Sequence, residues 1–488
     1  MINNDIRKKY KATIGIECHV QFKSHTKLFS AVSNDAREAA PNTLVSHIDF
    51  GLPGALPVLN SKCVELAMRA AFALGTQPQT FSKFDRKHYF YPDLPMGYQI
   101  TQYDEPIIIG GEVKIDIGGD RKTIHITRAH IEADAGKSTH PTGKDFSLVD
   151  LNRAGTPLLE IVSEPEMHTA QEAKAYAREL YLLMRYADVS EANLYYGNMR
   201  FDVNVSVSKT NELGTRSETK NLNSFRSIEK AIDYEINRQI EILENKGTVV
   251  QETRGWDDTK QKTFSQRTKE NADDYRYMPD PDLPPLQLTQ EYINKVKNNM
   301  PVMPGEWRSR LEGLGLEKSQ IETLLDAQVE FASEGYLPLL EQAMYDSVFA
   351  KQLANWLLNV DIPYMRESQK KVKVQRSEFY KSIALLITSG KLNSTNAKTL
   401  IIELLSVDAL PASVEAYAES KGYVQVSDEN ELLAIVDQVL NENAPAANDV
   451  RNGEMKAIGF LVGQIMKKSN GKANPQLAQS LIKRQLGI

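Results

Sequence analysis

Three segments in the first half of the chain alternate between apolar and polar residues, and this period of two predicts β-strands with one apolar and one polar face. The segments are IGIECHVQF from Ile14, HIEADA from His130 and RFDVNVSV from Arg200. Because successive side chains of a strand point to opposite sides, polar residues two apart lie roughly 6–7 Å from each other on one face. The predicted polar faces carry Glu17 and His19, then His130, Glu132 and Asp134, then Arg200 and Asp202.

The second of these segments continues as HIEADAGKST, whose last letters resemble the end of a phosphate-binding P-loop. That loop requires a glycine at the position occupied here by Ile131, and a helix should follow it. No clear amphipathic helix follows. Upstream, Ile124 and Ile126 are in the opposite phase to Ile131, which predicts a β-bulge between them. We therefore expect this segment to present carboxylates to a ligand rather than backbone amides to a phosphate.

Two interpretations fit the polar faces. Antiparallel strands commonly turn one polar face to solvent, and for any one of the three strands that explanation is sufficient. Taken together, however, the faces share carboxylates, histidine and one arginine, with few lysines or threonines. Carboxylate oxygens bind Mg²⁺ well, and Mg²⁺ in turn binds nucleotide phosphates. The second interpretation is therefore a cation site on the face of a sheet.

The pattern changes near residue 290, from short alternating segments with frequent Gly and Pro to helical periodicity. Two amphipathic helices interrupt the first part. One begins at Thr169, with Glu172 in capping-box spacing, and the other ends near Gly247 as its C-cap. A last helix is expected after Asn474. We predict an α+β fold with a sheet-rich cradle domain at 1–293, a helical domain at 294–408 and a small all-helical tail domain at 409–488.

The composition excludes several classes of protein. No apolar run approaches the roughly 18 residues of a membrane span, and the first residues lead into no signal-peptide core. The two cysteines, Cys18 and Cys63, are too few for a zinc cluster or a disulfide framework. The sequence therefore predicts a soluble, cytoplasmic protein without zinc and without a membrane partner.

The net charge of −6 is unevenly distributed. Residues 401–450 carry ten acidic side chains and one lysine, whereas residues 451–488 carry seven basic side chains and one glutamate. A basic terminal segment can follow a phosphate backbone, and a solvated helical face is the alternative. Within it, Gly459 and Gly463 predict a groove on one stripe of a helix where a backbone can approach closely. The candidate contacts to a nucleic acid are Lys456, Lys467, Lys468 and Lys472.

The motif DLNRAGTPLLEI, from Asp150 to Ile161, resembles the signature of the B-subunit family of aspartyl/glutamyl-tRNA amidotransferases. Six further segments resemble motifs of that family in the same order: IGIECHVQ, SKFDRKHYFYPDLP, HIEADAGKSTH, ETKNLNSF, DDYRYMPDPDLPPL and GFLVGQIMKKSNGKANP. The resemblance covers nearly the whole chain. One departure is LYYGNMRFD, where Tyr195 and Tyr196 stand in a segment that is often acidic in other members.

The resemblance implies an ATP- and Mg²⁺-dependent ligase that repairs misacylated tRNA. In this family the side-chain carboxylate of Glu-tRNA(Gln) or Asp-tRNA(Asn) is phosphorylated and then converted to the amide with ammonia. The A subunit, an amidase, releases the ammonia from glutamine, and the small C subunit bridges the other two. Two other classes are compatible with the residues. A tRNA-binding scaffold would need no metal site, and a metal-dependent nuclease would cleave the tRNA.

The resemblance also implies functional residues. The metal ligands of the family match His19, Glu132 and Glu160, and we expect Glu17 to complete this catalytic cluster. Glu160 lies in the apolar run PLLEIV, where a carboxylate is costly unless it is paired or bound to a metal. The resemblance assigns Lys87 to the phosphates of ATP. The candidates for the aminoacyl end of the tRNA, from their shared strand face, are Arg200 and Asp202. The segment DYRYMPDPDLPP is either a rigid loop or a substrate contact.

Overall fold

The computed structural model describes residues 3–268, 272–368, 370–424, 429–469 and 473–488. The chain divides into two compact units, Met1–Pro304 and Gly305–Ile488. Strands dominate the first unit and helices the second, which confirms the predicted α+β class. Within the described ranges no helix is long and apolar enough to cross a membrane. The finer division at residues 293 and 408 stays a prediction.

The first unit contains all the strands and five α-helices of the described residues. The next helix, α6, begins at the last residue of this unit, and the remaining α-helices belong to the second unit. The strands are β1 (Lys11–Gln21), β2 (Phe81–Ser82), β3 (Asp85–His88), β4 (Tyr98–Thr101), β5 (Ile108–Ile109), β6 (Glu112–Ile117), β7 (Asp120–Ala133), β8 (Lys137–Thr139), β9 (Leu148–Asp150), β10 (Pro157–Ser163), β11 (Met199–Ser208), β12 (Ser217–Leu222), β13 (Glu252–Asp257), β14 (Lys262–Thr268), β15 (Met278–Pro279) and β16 (Leu286–Gln287). The helices are α1 (Asn4–Arg7), α2 (Ser61–Ala73), α3 (Ala170–Tyr186), α4 (Phe225–Glu244), α5 (Gln290–Asn298), α6 (Pro304–Gly313), α7 (Lys318–Glu330), α8 (Tyr336–Ala343), α9 (Ser347–Trp356), α10 (Ile362–Ser368), α11 (Arg376–Thr388), α12 (Ser394–Ser406), α13 (Val414–Ser420), α14 (Glu429–Glu442), α15 (Ala444–Arg451), α16 (Ala457–Lys468) and α17 (Pro475–Leu486).

A nine-stranded sheet organises the described part of the first unit, in the order β14-β13-β12-β11-β1-β10-β7-β5 with β6 paired to β7. The three segments predicted as two-faced strands, β1, β7 and β11, all lie in it, and β10 is inserted between β1 and β7. The register sets His19 of β1 opposite Glu160 of β10 on one side and Arg200 of β11 on the other. Candidate residues that are distant in sequence are therefore cross-strand neighbours.

Strand β7 contains the predicted bulge. The register shifts by one residue between Val162 and Ser163 of β10, so that Thr127 of β7 has no counterpart in the ladder. The buried apolar residues of β7 are even-numbered before Thr127 and odd-numbered after it. The bulge thus turns His130 and Glu132 to the polar face of the sheet.

The helices α3 and α4 pack together against the apolar face of this sheet. As predicted, α3 is capped by Thr169, whose hydroxyl accepts a hydrogen bond from the backbone N–H of Glu172 at 3.1 Å. The end of α4 differs from the prediction, because Lys246 rather than Gly247 adopts the left-handed conformation, with φ of 60°. Gly247 instead donates its N–H to the carbonyl of Ile242 at 2.8 Å, which closes the last turn of the helix one residue further on.

A buried polar network around Asp361 lies inside the second unit. The Asp361 carboxylate accepts hydrogen bonds from the hydroxyls of Tyr336 and Tyr380 at 2.9 and 2.8 Å. It also accepts one from Arg376 Nε at 2.8 Å, and Arg376 forms a second ion pair with Glu334. The buried residues of this network are Asp361, Tyr336, Tyr380 and Arg376, and Glu334 is partly buried. The network therefore fixes several helices of this unit through charge as well as apolar contact.

The last helices of the chain share an apolar core of their own. Ile458, Leu461 and Ile465 of α16 are buried in it and Val462 is partly buried, as the helical spacing predicts. Helix α17 begins at the predicted cap, Asn474, whose side chain accepts two backbone N–H groups of the first turn. The charged face of α16 is left outside this core.

We expect Asp361→Ala to lower the free energy of unfolding of the second unit by about 3–5 kcal/mol, because the buried Arg376 guanidinium would keep only Glu334 as a charged partner. Urea unfolding followed by tryptophan fluorescence measures the change. Trp356 is a suitable reporter, since its ring stacks on that of Tyr380 with centroids 5.7 Å apart.

Asp408→Ala is the matched control in the same unit. Asp408 is exposed and pairs with the exposed Lys373 at 2.8 Å, so its loss should change stability far less than the loss of Asp361 does. Equal effects of the two substitutions would contradict a structural role for the buried network.

Candidate active site

A cavity of about 520 Å³ opens on the polar face of the large sheet. Residues of β1, β7, β10, β11 and β12 line it, together with β3, β4 and the segment that carries Tyr275 and Tyr277. All candidate site residues of the first unit lie in its lining. They are Glu17, His19, Lys87, Glu132, Glu160, Arg200 and Asp202.

A histidine surrounded by three carboxylates forms the centre of the cavity. His19 Nε2 lies 3.4 Å from Glu160 Oε2 and 3.5 Å from Glu132 Oε1. Glu17 Oε1 is 3.9 Å from the same nitrogen. His130 Nε2 approaches Glu132 and Glu160 at 3.6 Å each. Glu132 and Glu160 are buried. A polar face turned to solvent therefore does not explain these two side chains.

Electrostatic interactions inside the cluster shift several pKa values. Burial opposes a charge on His19, but its hydrogen bond to Glu160 and the nearby Glu132 and Glu17 raise its pKa to about 9. The charge of Glu160, together with burial, raises the pKa of Glu17 to about 7. Burial acts to raise the pKa of Glu160 as well, yet His130 and His19 hold it below its usual range. The cluster thus carries an excess of negative charge that a proton or a metal cation can neutralise.

The geometry of the cluster fits a divalent cation. Donor atoms of His19, Glu132 and Glu160 all lie within 4.8 Å of one another, and those of Glu17, His19 and Asp202 form a second such group. Ligands about 2.1 Å from one cation are roughly 3.0–3.4 Å apart in octahedral or tetrahedral geometry. The separations of 3.4 and 3.5 Å around His19 are close to that range. An imidazole and two carboxylates can therefore hold an ion such as Mg²⁺ or Mn²⁺ here.

Lys87 of β3 brings a positive charge into the same cavity. Its Nζ lies 4.7 Å from the centre of the Tyr275 ring and 5.9 Å from that of Tyr89. Burial lowers the pKa of Lys87, but Glu132 and Glu160 outweigh it and hold the pKa above its usual range. The ammonium group is therefore charged, and it makes no hydrogen bond within the described residues. It is free to contact an anionic ligand.

Arg200 and Asp202 are each held by an ion pair. Arg200 Nη2 donates to Asp134 Oδ2 at 2.8 Å, and its Nε is buried without a hydrogen-bond partner in the described residues. Asp202 Oδ2 accepts from Lys220 Nζ at 2.5 Å. These pairs orient both side chains on the sheet face beside the cluster. Arg200 keeps donor capacity for a further anionic group.

Several residues of the cavity were not among the sequence candidates. Asp134 was recognised on a polar face but not as the partner of Arg200, and Lys220 lies in the motif ETKNLNSF without a distinguishing pattern. The segment DYRYMPDPDLPP contributes Tyr275 and Tyr277 to the lining, and Tyr277 stacks on Tyr103 with centroids 3.9 Å apart. Of the two interpretations of this segment, its position favours a substrate contact.

The tail lysines lie in the second unit. Lys456, Lys467 and Lys468 are exposed on or beside α16, and Lys468 pairs with Glu442 at 2.5 Å. Lys472 lies outside the described residues. Lys456, directly before α16, and Lys467 within it are therefore exposed lysines without an ion pair among the described residues.

We expect the protein to bind Mn²⁺, a paramagnetic substitute for Mg²⁺, and Glu132→Gln to weaken that binding about tenfold or more, because the substitution keeps the size of the side chain but removes its charge. Electron paramagnetic resonance of free Mn²⁺ measures the affinity. Glu212→Gln, at an exposed position between β11 and β12, is the control and should bind as the wild type does. Equal affinities of Glu132→Gln and wild type would rule out this cluster as the cation site.

Comparison with known proteins identifies the family. Residues 12–294 match the GatB/GatE catalytic domain, and residues 339–486 match the GatB domain. Proteins named as the B subunit of aspartyl/glutamyl-tRNA(Asn/Gln) amidotransferase are similar over the full length: that of Thermoanaerobacter pseudethanolicus is 43% identical over 483 residues and that of Carboxydothermus hydrogenoformans 41% identical over 488 residues. Both alignments cover 98% of this chain and 99% of the relative. This chain therefore belongs to the B-subunit family of aspartyl/glutamyl-tRNA(Asn/Gln) amidotransferases.

Proposed function

We propose that this chain is the subunit of a tRNA-dependent amidotransferase that phosphorylates the side-chain carboxylate of Glu-tRNA(Gln), Asp-tRNA(Asn) or both with ATP and converts it to the amide with ammonia. The observation that carries the proposal is the cluster of His19, Glu132 and Glu160, which shares one cavity with the cations Lys87 and Arg200. Membership of the B-subunit family supports the same reaction.

The chemistry explains why such a cavity is needed. A carboxylate resists attack by ammonia, because its negative charge repels nucleophiles and oxide is a poor leaving group. Phosphorylation supplies phosphate as the leaving group. Phosphoryl transfer depends mainly on positioning and on neutralising charge, so it requires cations around the reacting groups rather than a protein nucleophile.

The residues of the cavity divide these tasks. His19, Glu132 and Glu160 would hold Mg²⁺, which when bound neutralises phosphate charge during the transfer. Lys87 binds phosphate oxygens of ATP, because its ammonium group has no hydrogen bond of its own within the described residues. Arg200, oriented by Asp134, binds the side-chain carboxylate of the aminoacyl group. Asp202 accepts a hydrogen bond from the α-ammonium group of the same aminoacyl ligand.

The ammonia requires a partner. The sequence shows no Gly/Ser-rich run of the amidase type. We therefore assign glutamine hydrolysis to a separate amidase, the A subunit, and the bridging role to the small C subunit. The similar proteins are named as B subunits, which supports a multi-subunit complex.

One exposed stripe of α16 is suited to the body of the tRNA. Lys456, Gly459, Gly463 and Lys467 recur at helical spacing, so they follow one side of the helix over roughly 16 Å. Nothing lies within 4 Å of a Cβ added at either glycine. A phosphate backbone can therefore approach the helix between the two lysines. Folded RNA is read largely through shape and phosphates, which such a stripe can contact.

Amidation by the assembled complex tests the proposal. With ATP, Mg²⁺ and ammonium we expect Glu-tRNA(Gln) or Asp-tRNA(Asn) to acquire the amide, measured by amino-acid analysis after deacylation. Glu132→Gln should abolish amidation and leave tRNA affinity unchanged, because it removes a metal ligand and no tRNA contact. Glu212→Gln should amidate normally.

The other outcomes identify the competing classes. Intact tRNA without amidation or ATP consumption by the wild-type complex would indicate a scaffold, and cleaved tRNA would indicate a nuclease. Release of ammonia from glutamine by this chain alone would contradict the assignment of the amidase to a partner.

We expect Lys456→Ala combined with Lys467→Ala to flatten the dependence of tRNA affinity on salt by about two units of slope, one for each lost phosphate contact. Lys468→Ala should have a smaller effect, since Glu442 already neutralises Lys468. Lys398→Ala, at an exposed position of α12, is the control. An unchanged slope in the double variant would mean that the stripe is a solvated helix face.

A further inference from the structure

A second cavity, of about 570 Å³, lies beside the candidate active site on the same face of the sheet. Strand β1 supplies His19 to the active site and Gln21 to the second cavity, and Asn198 lines the second cavity two residues before Arg200. Asn198 Nδ2 donates to Gln21 Oε1 at 2.9 Å, which joins the two strands there. The cavities are therefore about 7 Å apart along the strands, which is one pleat.

Lys137 gives this second cavity a cation that has no ion-pair partner among the described residues. Four lysine or arginine residues and three acidic residues line the cavity, and of the four Lys23 pairs with Asp188 at 2.7 Å and Arg153 lies 3.4 Å from Asp134. Two of the acids, Asp35 and Glu191, are both paired with Arg37. Lys137 and His25 are exposed and make no side-chain hydrogen bond or ion pair with any described residue. The cavity is thus suited to an anion such as a phosphodiester.

Two neighbouring tyrosines border the cavity. Tyr196 lines it and Tyr195 adjoins it, with exposed fractions of 54% and 88% and ring centroids 5.2 Å apart. Their backbone N–H groups both donate to Asn193 Oδ1, at 3.0 and 3.2 Å, which fixes the turn that presents the rings. Exposed aromatic rings next to free cations bind single-stranded nucleic acid, because bases stack on the rings and phosphates contact the cations.

A short chain of contacts separates the two cavities. Arg153, in the lining of the second cavity, lies 3.4 Å from Asp134, which lines the active site and binds Arg200.

No candidate metal group of the described residues lies in the second cavity. The triphosphate of ATP and its cation therefore fit the active site. The second cavity fits a ligand with fewer phosphates and an exposed base.

We propose that the second cavity binds the unpaired 3′-terminal nucleotides of the aminoacyl-tRNA, with Tyr195 and Tyr196 as stacking surfaces and Lys137 as a phosphate contact. The inference rests on the proposed function, because an amino acid esterified to the 3′ end of tRNA is a ligand that needs both cavities at once. The ester lies near Arg153, and the side-chain carboxylate reaches Arg200 one pleat away.

A fluorescent tRNA tests the stacking directly. Its terminal adenosine is replaced by 2-aminopurine, whose fluorescence is quenched when the base stacks. We expect the assembled complex to quench the probe, and Tyr195→Ala with Tyr196→Ala to relieve the quenching and weaken tRNA binding about tenfold. Both side chains are exposed, so folding and assembly should be unaffected. Absence of quenching by the wild-type complex, or quenching that persists in the variant, would overturn the proposal.

Leu213→Ala is the matched control for the tyrosines. Leu213 is exposed in the connection after β11, at the opposite end of that strand from Asn198, so its loss should leave quenching and affinity unchanged. For the phosphate contact, Lys137→Ala should lower the salt slope of tRNA binding by about one unit. Lys144→Ala, in the connection between β8 and β9, should leave the slope unchanged.

Steady-state amidation separates the proposal from its nearest alternative. The tyrosine variant should raise the KM for aminoacyl-tRNA about tenfold and leave kcat and the KM for ATP unchanged. A raised KM for ATP with an unchanged KM for tRNA would assign the cavity to ATP and overturn the proposal. A wild-type complex that quenches the probe but does not amidate would refute the proposed function alone, so the two failures are distinguishable.

Discussion

Mutual repulsion among Glu17, Glu132 and Glu160 is the constraint on which the rest of the first unit depends. Three carboxylates around one imidazole, two of them buried, are unstable unless cations compensate them. The compensation comes from His19 and His130, which lie within 4 Å, and from the longer-range charge of Lys87. The register of the large sheet brings the carboxylates and the histidines together, since they lie on β1, β7 and β10, and Lys87 joins them from β3 of a separate three-stranded sheet. A ligand cation can thus displace protons from a cluster that is already assembled.

The sequence predicted those parts of the fold that depend on local pattern. The alternation in β1, β7 and β11, the bulge in β7 and the cap at Thr169 follow from side-chain spacing and backbone chemistry within a few residues. The position of Glu160 could not be obtained that way, because its strand is apolar on both sides and has the pattern of a core strand. Only the insertion of β10 between β1 and β7 turns this carboxylate towards His19, and strand order is set by contacts distant in sequence.

Side-chain partners were the least predictable feature for the same reason. Arg200 and Asp202 share a strand face, and the pattern therefore suggested one common role. In the structure they have different partners, Asp134 from the end of β7 and Lys220 from β12. Likewise, nothing in the spacing of Asp361 and Arg376 indicates that they meet inside the second unit. Charge pairing follows from tertiary packing, whereas periodicity reports only which side of an element a residue occupies.

The orientation of Arg200 depends in turn on residues that take no part in the chemistry. Asp134 follows β7 and is held by the turn that contains Gly155, which donates its N–H to the Asp134 carbonyl at 2.9 Å with φ of 80°. A Cβ at Gly155 would lie 2.6 Å from Asp49 Oδ1, and Asp49 is itself buried 3.4 Å from the ammonium of Lys27. A buried ion pair of this kind contributes more to geometry than to stability, because desolvation offsets much of its attraction. Its effect here is to hold the Gly155 turn in one position, and through that turn the carboxylate that orients Arg200.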